Sequence, residues 1–215
     1  MATDYWAVLE EGNFYHIYNR SVVDGKLIFR SPENYRFFLG KFNEYITPFL
    51  DIWGYCLLPD HFHFLVHVPE EPVKSKELIR KASTKKAKAL LEGHATYSSF
   101  LEDQFKRLFA SYAHSFNRYH NQRGSVFQKR FKRVLLRTDL RLLYTICYIH
   151  HNPIHHRLAQ TYDSWAFSSY KLLLGDDHEW LSYESVQLFF HRMGLTEDWR
   201  FNFLELHRQF QIDFR

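Results

Sequence analysis

An α+β fold is predicted here, with one antiparallel sheet carrying helices on one face and a helical C-terminal extension, from three features of the 215-residue chain. A strand-like stretch, a helix, an apolar hairpin and a second long helix follow one another in that order. Hydrophobic residues make up 46% of the chain and aromatic residues 19%, which is ample surface for a core. Only 8 Gly and 6 Pro interrupt it, so a disordered, collagen-like or low-complexity chain is excluded.

Each element has its own local reason. Residues 13–20 alternate and are rich in β-formers, which reads as a strand. Ser31, Pro32 and Glu33 open a helix, and Tyr35, Phe38, Leu39, Phe42 and Tyr45 then repeat at helical spacing. The apolar run 52–58 ends at Pro59-Asp60, and 62–68 reads as the returning strand of a hairpin. Residues 71–95 are polar, basic and helix-prone, and read as a mobile insertion. Residues 99–120 form a long amphipathic helix whose buried stripe is Leu101, Phe105, Leu108, Phe109, Tyr112 and Phe116. Gln122-Arg123-Gly124 breaks it, and 126–136 is a basic extended segment. Thr138 caps a further helix, expected to end at Asn152 because Pro153 follows. Residues 168–174, 183–193 and 196–210 look helical. Strand, helix, hairpin, helix and further elements make the split βαβ, ferredoxin-like or RRM-like sheet the natural candidate. The expected division is a first unit over residues 1–162 and a C-terminal helical extension over 163–215.

The two cysteines, Cys56 and Cys147, are too few for a disulfide framework or a thiolate zinc site. The start of the chain lacks the features of a secretory signal, and no apolar run approaches the length of a membrane span. The expectation is a cytoplasmic protein with no membrane partner.

The net charge of +4 is unevenly spread. Residues 163–215 hold 5 Lys and Arg against 9 Asp and Glu, leaving 23 against 15, or +8, in residues 1–162. Eight cations and one acid lie between Arg118 and Arg141. A second cluster comprises Lys74, Lys76, Arg80, Lys81, Lys85, Lys86 and Lys88. Such patches suit a polyanion partner, although a solvated helix face is the plainer alternative. Phe116, Tyr119, Phe127 and Phe131 adjoin the first patch, a mixture suited to stacking on unpaired bases.

Two local patterns carry chemistry. His61 and His63 are two apart on a strand, so both imidazoles share a face, and such a pair is a ready site for a divalent metal. His67 lies on that face two steps further on and reads as supporting or structural. Tyr148 and Asn152 are four apart on a helix and share a face too. A phenol acts as a nucleophile only when its pKa near 10 is dealt with by a base or by a metal's field. The plainer alternative is that Tyr148 packs with Tyr144.

Read together, these segments carry a resemblance. Residues 58–66, Leu-Pro-Asp-His-Phe-His-Phe-Leu-Val, resemble the His-hydrophobe-His segment of single-strand tyrosine transposases. Residues 148–153, Tyr-Ile-His-His-Asn-Pro, resemble the Tyr-Ile-x-x-Asn-Pro segment of the REP-associated branch. Residues 15–20, 124–132 and the Trp-x-x-Ser-Ser-Tyr of 165–170 fit the same family, so the likeness spans about residues 13–172. It implies Mg²⁺ or Mn²⁺ held by His61, His63 and Asn152, with Tyr148 as the nucleophile. It further implies a single-stranded DNA endonuclease and strand transferase acting on hairpin-forming repeats through a 5′-phosphotyrosine. The partner is then single-stranded or hairpin DNA; monomer and homodimer both stay open. Candidate DNA contacts are Arg118, Arg123, Gln128, Lys129, Arg130, Lys132 and Arg133, with Arg20 and His16 lining the site. His150, His151, His155 and His156 read as DNA contacts or surface residues rather than a metal cluster. Two rivals stay open: a catalytically silent DNA-binding protein on the same fold, and an RNA-binding sheet protein, which lacks an evident aromatic signature here.

Overall fold

The pattern of period two followed by period 3.6 is realised in order in the computed structural model. It describes residues 3–70, 75–175, 178, 180–194 and 196–213. The elements are β1 (Phe14–Arg20), α1 (Pro32–Tyr45), β2 (Asp51–Leu57), β3 (His61–His67), α2 (Ser75–Ala82), α3 (Lys85–Leu91), α4 (Tyr97–Tyr119), β4 (Lys132–Leu136) and α5 (Asp139–His155). A single 3₁₀ turn (Tyr162–Ser164) then leads to α6 (Tyr170–Leu174), α7 (Tyr183–Met193) and α8 (Trp199–Asp213). Lys74, counted above in the second basic cluster, lies outside the described residues.

The four strands form one antiparallel sheet in the order β2-β3-β1-β4, the ferredoxin-like arrangement. Alternation then sorts the side chains. Tyr15, Ile17, Phe62, Phe64 and Val66 are buried on one face. There α1 and α4 cover them with aromatic rings: Phe42 stacks on Phe64 at 3.8 Å, Phe38 meets Phe62 at 5.1 Å, and Phe109 meets Phe62 at 5.9 Å. The α4 helix is capped by Thr96, whose hydroxyl accepts from the Ser99 N–H at 3.2 Å.

The sheet thus carries α1 and α4 on one face, and α5 adds a further layer on the other. The approach of α5 is set by Gly54 of β2. A Cβ there would lie 3.5 Å from both Ile146 Cγ1 and His150 Nε2. Thr138 caps α5 by accepting from the Arg141 N–H at 3.3 Å. The helix does not stop at Asn152 as expected: it runs through Pro153 to His155. Proline removes one donor, but the turn beyond it still finds acceptors, with the His156 N–H donating to the Asn152 carbonyl at 2.9 Å.

The insertion read as mobile contains two short helices anchored in the core. Ile79 of α2 and Ala87 of α3 are both buried. Residues beyond 162 pack on α5 and on edge strand β2: Ser168 bridges Cys56, Leu181 bridges Ile52, and Trp53 meets Phe189 edge-on at 5.6 Å. Cys56 and Cys147 are buried free thiols. Among the described residues, no helix is long and apolar enough to cross a membrane.

Candidate active site

The residues of β1 and β3 that avoid the core form one field of side chains beneath α5. Across the ladder Arg20 faces His61 and Tyr18 faces His63. His16 reaches diagonally, bringing its Nε2 to 2.9 Å from His63 Nδ1. His61 Nδ1 lies 2.7 Å from Asp60 Oδ1, which fixes that ring and leaves Nε2 to face a ligand.

Helix α5 packs on β2 and β3. The Tyr148 ring stands edge-on to His63 at 5.7 Å and to His16 at 6.1 Å. Two turns on, the His156 ring lies 5.0 Å from His61. Asn152 sits between them on the same helix face, donating from Nδ2 to the Tyr148 carbonyl at 2.8 Å. The structure therefore brings Tyr148, Asn152, His61, His63 and His16 to one place. Tyr148 also stacks parallel to Tyr144 at 6.3 Å, so the packing alternative and the site placement hold together.

Burial sets the electrostatics. It keeps both imidazoles of the inner pair neutral, holding His16 down to about 3 and His63 well below the ordinary histidine value, with the His16, His61 and His156 rings adding to the effect on His63. It raises the Tyr148 phenol, while the Asn152 side chain beside it pulls the other way. The phenol is thus protonated at neutral pH. Two buried polar atoms, His63 Nε2 and Asn152 Oδ1, have no hydrogen-bond partner. An orphaned buried polar atom costs about 1–3 kcal/mol, so two in one site fit an external group. With the His63 proton on Nδ1, both are lone-pair donors, which suits a divalent cation. Among the described residues no group of three or more His, Cys, Asp or Glu is arranged to hold a metal ion. The Asn152 amide oxygen is the other unpartnered lone-pair donor beside this pair.

The remaining sequence candidates divide. Arg20 is exposed and paired with Asp24 at 3.3 Å. Gln128 is tied to β1 through its backbone, its N–H donating to the Arg20 carbonyl at 2.9 Å. Lys129 and Arg130 are exposed, and Lys132 sits beside Tyr18 with Nζ 5.5 Å from its ring. Arg118 and Arg123 are exposed but belong to the end of α4 and its following loop, away from the α5 face.

Three expectations need correction. Arg133 is buried and committed internally: Nε donates to the Ala7 carbonyl at 2.6 Å and a terminal amino group pairs with Glu102 at 2.7 Å. It points to the core side of β4, opposite Lys132, with only 8% of its surface exposed. Phe116, Phe127 and Phe131 are buried core rings and cannot stack on bases, whereas Tyr119 is 74% exposed. His150 and His151 are interior residues, not surface ones. His150 joins His207 and Ser169 at 2.9 and 2.8 Å, and His151 lies 3.2 Å from the Tyr162 hydroxyl.

Sequence reasoning missed Asp60 and Tyr18. Both had a signal: Asp60 directly precedes His61, and Tyr18 shares the period-two face of His16.

Both comparisons lead to proteins named as REP-associated tyrosine transposases. A protein of Haemophilus influenzae named "Putative REP-associated tyrosine transposase" is 27% identical over 117 residues, 54% of this chain and 56% of the relative. The match thus spans little more than half of that relative's length. A solved structure of a REP-associated tyrosine transposase bound to a REP hairpin shares the fold, with a TM-score of 0.52 at 15% identity over 80% of this chain and 86% of that one. No protein-family model matches the chain.

Proposed function

We propose that the protein is a REP-associated tyrosine transposase that cuts and rejoins single-stranded DNA at hairpin-forming repeats, with Tyr148 as nucleophile. One observation carries the reading. A half-buried tyrosine stands edge-on to His63, and beside it two buried lone-pair donors, His63 Nε2 and Asn152 Oδ1, are unpartnered.

In this reading His61, His63 and Asn152 hold Mg²⁺ or Mn²⁺, which when bound polarises a phosphate oxygen and stabilises the charge developing on it. The protein's own groups do the rest. Asp60 fixes the orientation of His61, and His16 that of His63. Helix α5 presents the Tyr148 oxygen from the side opposite the sheet. Attack forms the bond from that oxygen to phosphorus and breaks the bond to the 3′ oxygen. The phenol proton leaves Tyr148, the departing 3′ oxygen takes up a proton, and a 5′-phosphotyrosine remains. The reverse attack by a 3′-hydroxyl rejoins DNA with no outside energy source, because the phosphodiester energy is kept in the tyrosyl bond. Exposed Arg20, Lys129 and Arg130, with the half-buried Lys132 and Gln128, flank this face and would position the strand by its phosphates. Arg118 and Arg123 extend the basic surface round the end of the sheet.

The test is an adduct assay on a hairpin-bearing DNA single strand with Mn²⁺. The expected result is a covalent protein–DNA species that disappears in Tyr148→Phe and on adding EDTA. Tight binding to the chain's own repeat without any adduct would instead establish a silent DNA-binding protein, and preference for RNA would overturn the DNA reading.

A further inference from the structure

The stacking rings expected at Phe116, Phe127 and Phe131 are in the core, yet the catalytic face is not without exposed aromatics. They come from a segment to which sequence reasoning gave no role. Residues 5–9 lie along the outer edge of β4: Trp6 bridges Arg133 in parallel, the Arg133 N–H donates to the Tyr5 carbonyl at 2.9 Å, and the Ala7 N–H donates to the Arg133 carbonyl at 3.3 Å. Ala7 and Leu9 are buried there, but Tyr5 is 39% and Trp6 44% exposed.

Those rings continue a row that starts at the candidate active site. In the ladder His63 faces Tyr18, and Tyr18 faces Lys132 on its other side. The Lys132 ammonium then lies between two phenol rings, 5.5 Å from Tyr18 and 4.8 Å from Tyr5. Beside them the Arg130 guanidinium sits 5.0 Å over the Trp6 ring. With strands spaced about 4.8 Å apart, the row leads from His63 to the Tyr5 segment over about 15 Å. Protecting the open edge of β4 explains the buried Ala7 and Leu9. It does not explain two large rings left half in water, each paired with a cation and continuous with the catalytic face. Exposed aromatic rings interleaved with cations are the chemistry that holds unpaired nucleotides: rings take base faces and cations take phosphates.

We infer that Tyr5, Trp6 and Tyr18, with Lys132 and Arg130, form a stacking platform for the unpaired nucleotides next to the phosphate that Tyr148 attacks. The inference rests on the single-stranded DNA reading and adds to it where the strand lies and what grips its bases.

The probes are a labelled run of 12 thymidines and an abasic 12-mer of equal charge, titrated by fluorescence anisotropy. Stacking tolerates any base, so the cognate repeat is not needed. The wild type is expected to prefer the thymidine strand by about tenfold, the scale of one good stack. The double variant Tyr5→Ala/Trp6→Ala should lose that preference while keeping its affinity for the abasic strand and its thermal unfolding midpoint. Tyr5→Phe/Trp6→Phe, which keeps a ring at each position, should restore the preference. A folded double-alanine variant with the preference intact would overturn the platform. So would a wild type that forms the Tyr148 adduct on hairpin DNA yet binds both strands equally, and that outcome leaves the enzymatic reading standing. A protein that binds no DNA of either kind, hairpin included, overturns both.

Discussion

His16 Nε2 and His63 Nδ1 lie 2.9 Å apart between neighbouring strands, so one proton is shared between two neutral imidazoles, one buried and one half-buried. For His63 to offer Nε2 to a cation, its proton must sit on Nδ1 and be donated to His16. His16 thus selects the tautomer that the site requires. His16→Ala is expected to weaken Mn²⁺ binding about 10- to 100-fold, read by calorimetry on the isolated protein. Unchanged Mn²⁺ affinity would show that His16 only fills space.

Lys132 and Arg133 are neighbours with opposite duties, because a strand turns successive side chains to opposite faces. Lys132→Ala should leave stability unchanged and reduce the salt dependence of DNA binding by about one unit of slope. Arg133→Ala should do the reverse. It strands Glu102 and the Ala7 carbonyl, for a loss of about 3 kcal/mol, the low end for a broken buried pair because Glu102 is partly solvated. Urea denaturation and DNA titration of both variants check the pair, and a swapped pattern would reverse the assignment of faces.

These two residues also show where the sequence was legible. Period-two alternation placed His61 with His63, and 3.6 periodicity placed Tyr148 with Asn152, because each relation is local. The ladder order followed from the sequence of elements. Arg133 was misread because its partners, Glu102 on α4 and Ala7 near the start of the chain, are set only by tertiary packing. Phe127 and Phe131 sit among cations in sequence, yet they turn inward to meet Phe109 at 5.0 and 5.8 Å. Composition near a residue does not say which way it points. His150 was beyond reach for a similar reason, since its partner His207 is 57 residues away.

Gly54 governs how closely α5 lies on the sheet, and through it where Tyr148 stands. A methyl group there would sit at 3.4 Å from Ser169 Oγ and 3.5 Å from His150 Nε2, ordinary contact distances. Gly54→Ala is therefore expected to keep fold and adduct formation. Gly54→Val adds two methyl groups with no room, and should cost about 1–3 kcal/mol and move α5 off the sheet. Adduct yield should then fall more than stability alone explains. Equal behaviour of the alanine and valine variants would mean that α5 is not held at this point.

Behind the same helix, a chain of buried hydrogen bonds ties β2 to α8. The Tyr55 N–H donates to Ser169 Oγ at 2.8 Å, Ser169 Oγ lies 2.8 Å from His150 Nε2, His150 Nδ1 lies 2.9 Å from His207 Nε2, and His207 Nδ1 lies 2.7 Å from the Phe203 carbonyl. One direction satisfies every link with neutral rings: the His207 proton goes to Phe203, the His150 proton to His207, and the Ser169 proton to His150. Burial enforces that neutrality, holding His207 down to about 3 and His150 well below the usual value, each ring also disfavouring charge on neighbouring imidazoles. The sign follows directly. Below pH 6.5 the unfolded chain takes up protons that these folded imidazoles refuse, so their contribution is fully present above 6.5 and is lost as pH falls toward 3. Each contributes a slope of up to about 1.4 kcal/mol per pH unit. The wild type should therefore lose stability steadily between pH 6.5 and 5, before most carboxylates titrate. In His207→Gln, which keeps a polar side chain, the slope should flatten by about the share of one imidazole, measured as urea midpoints across that range. A slope unchanged by the substitution would mean that His207 takes up its proton in the folded state as readily as in the unfolded one.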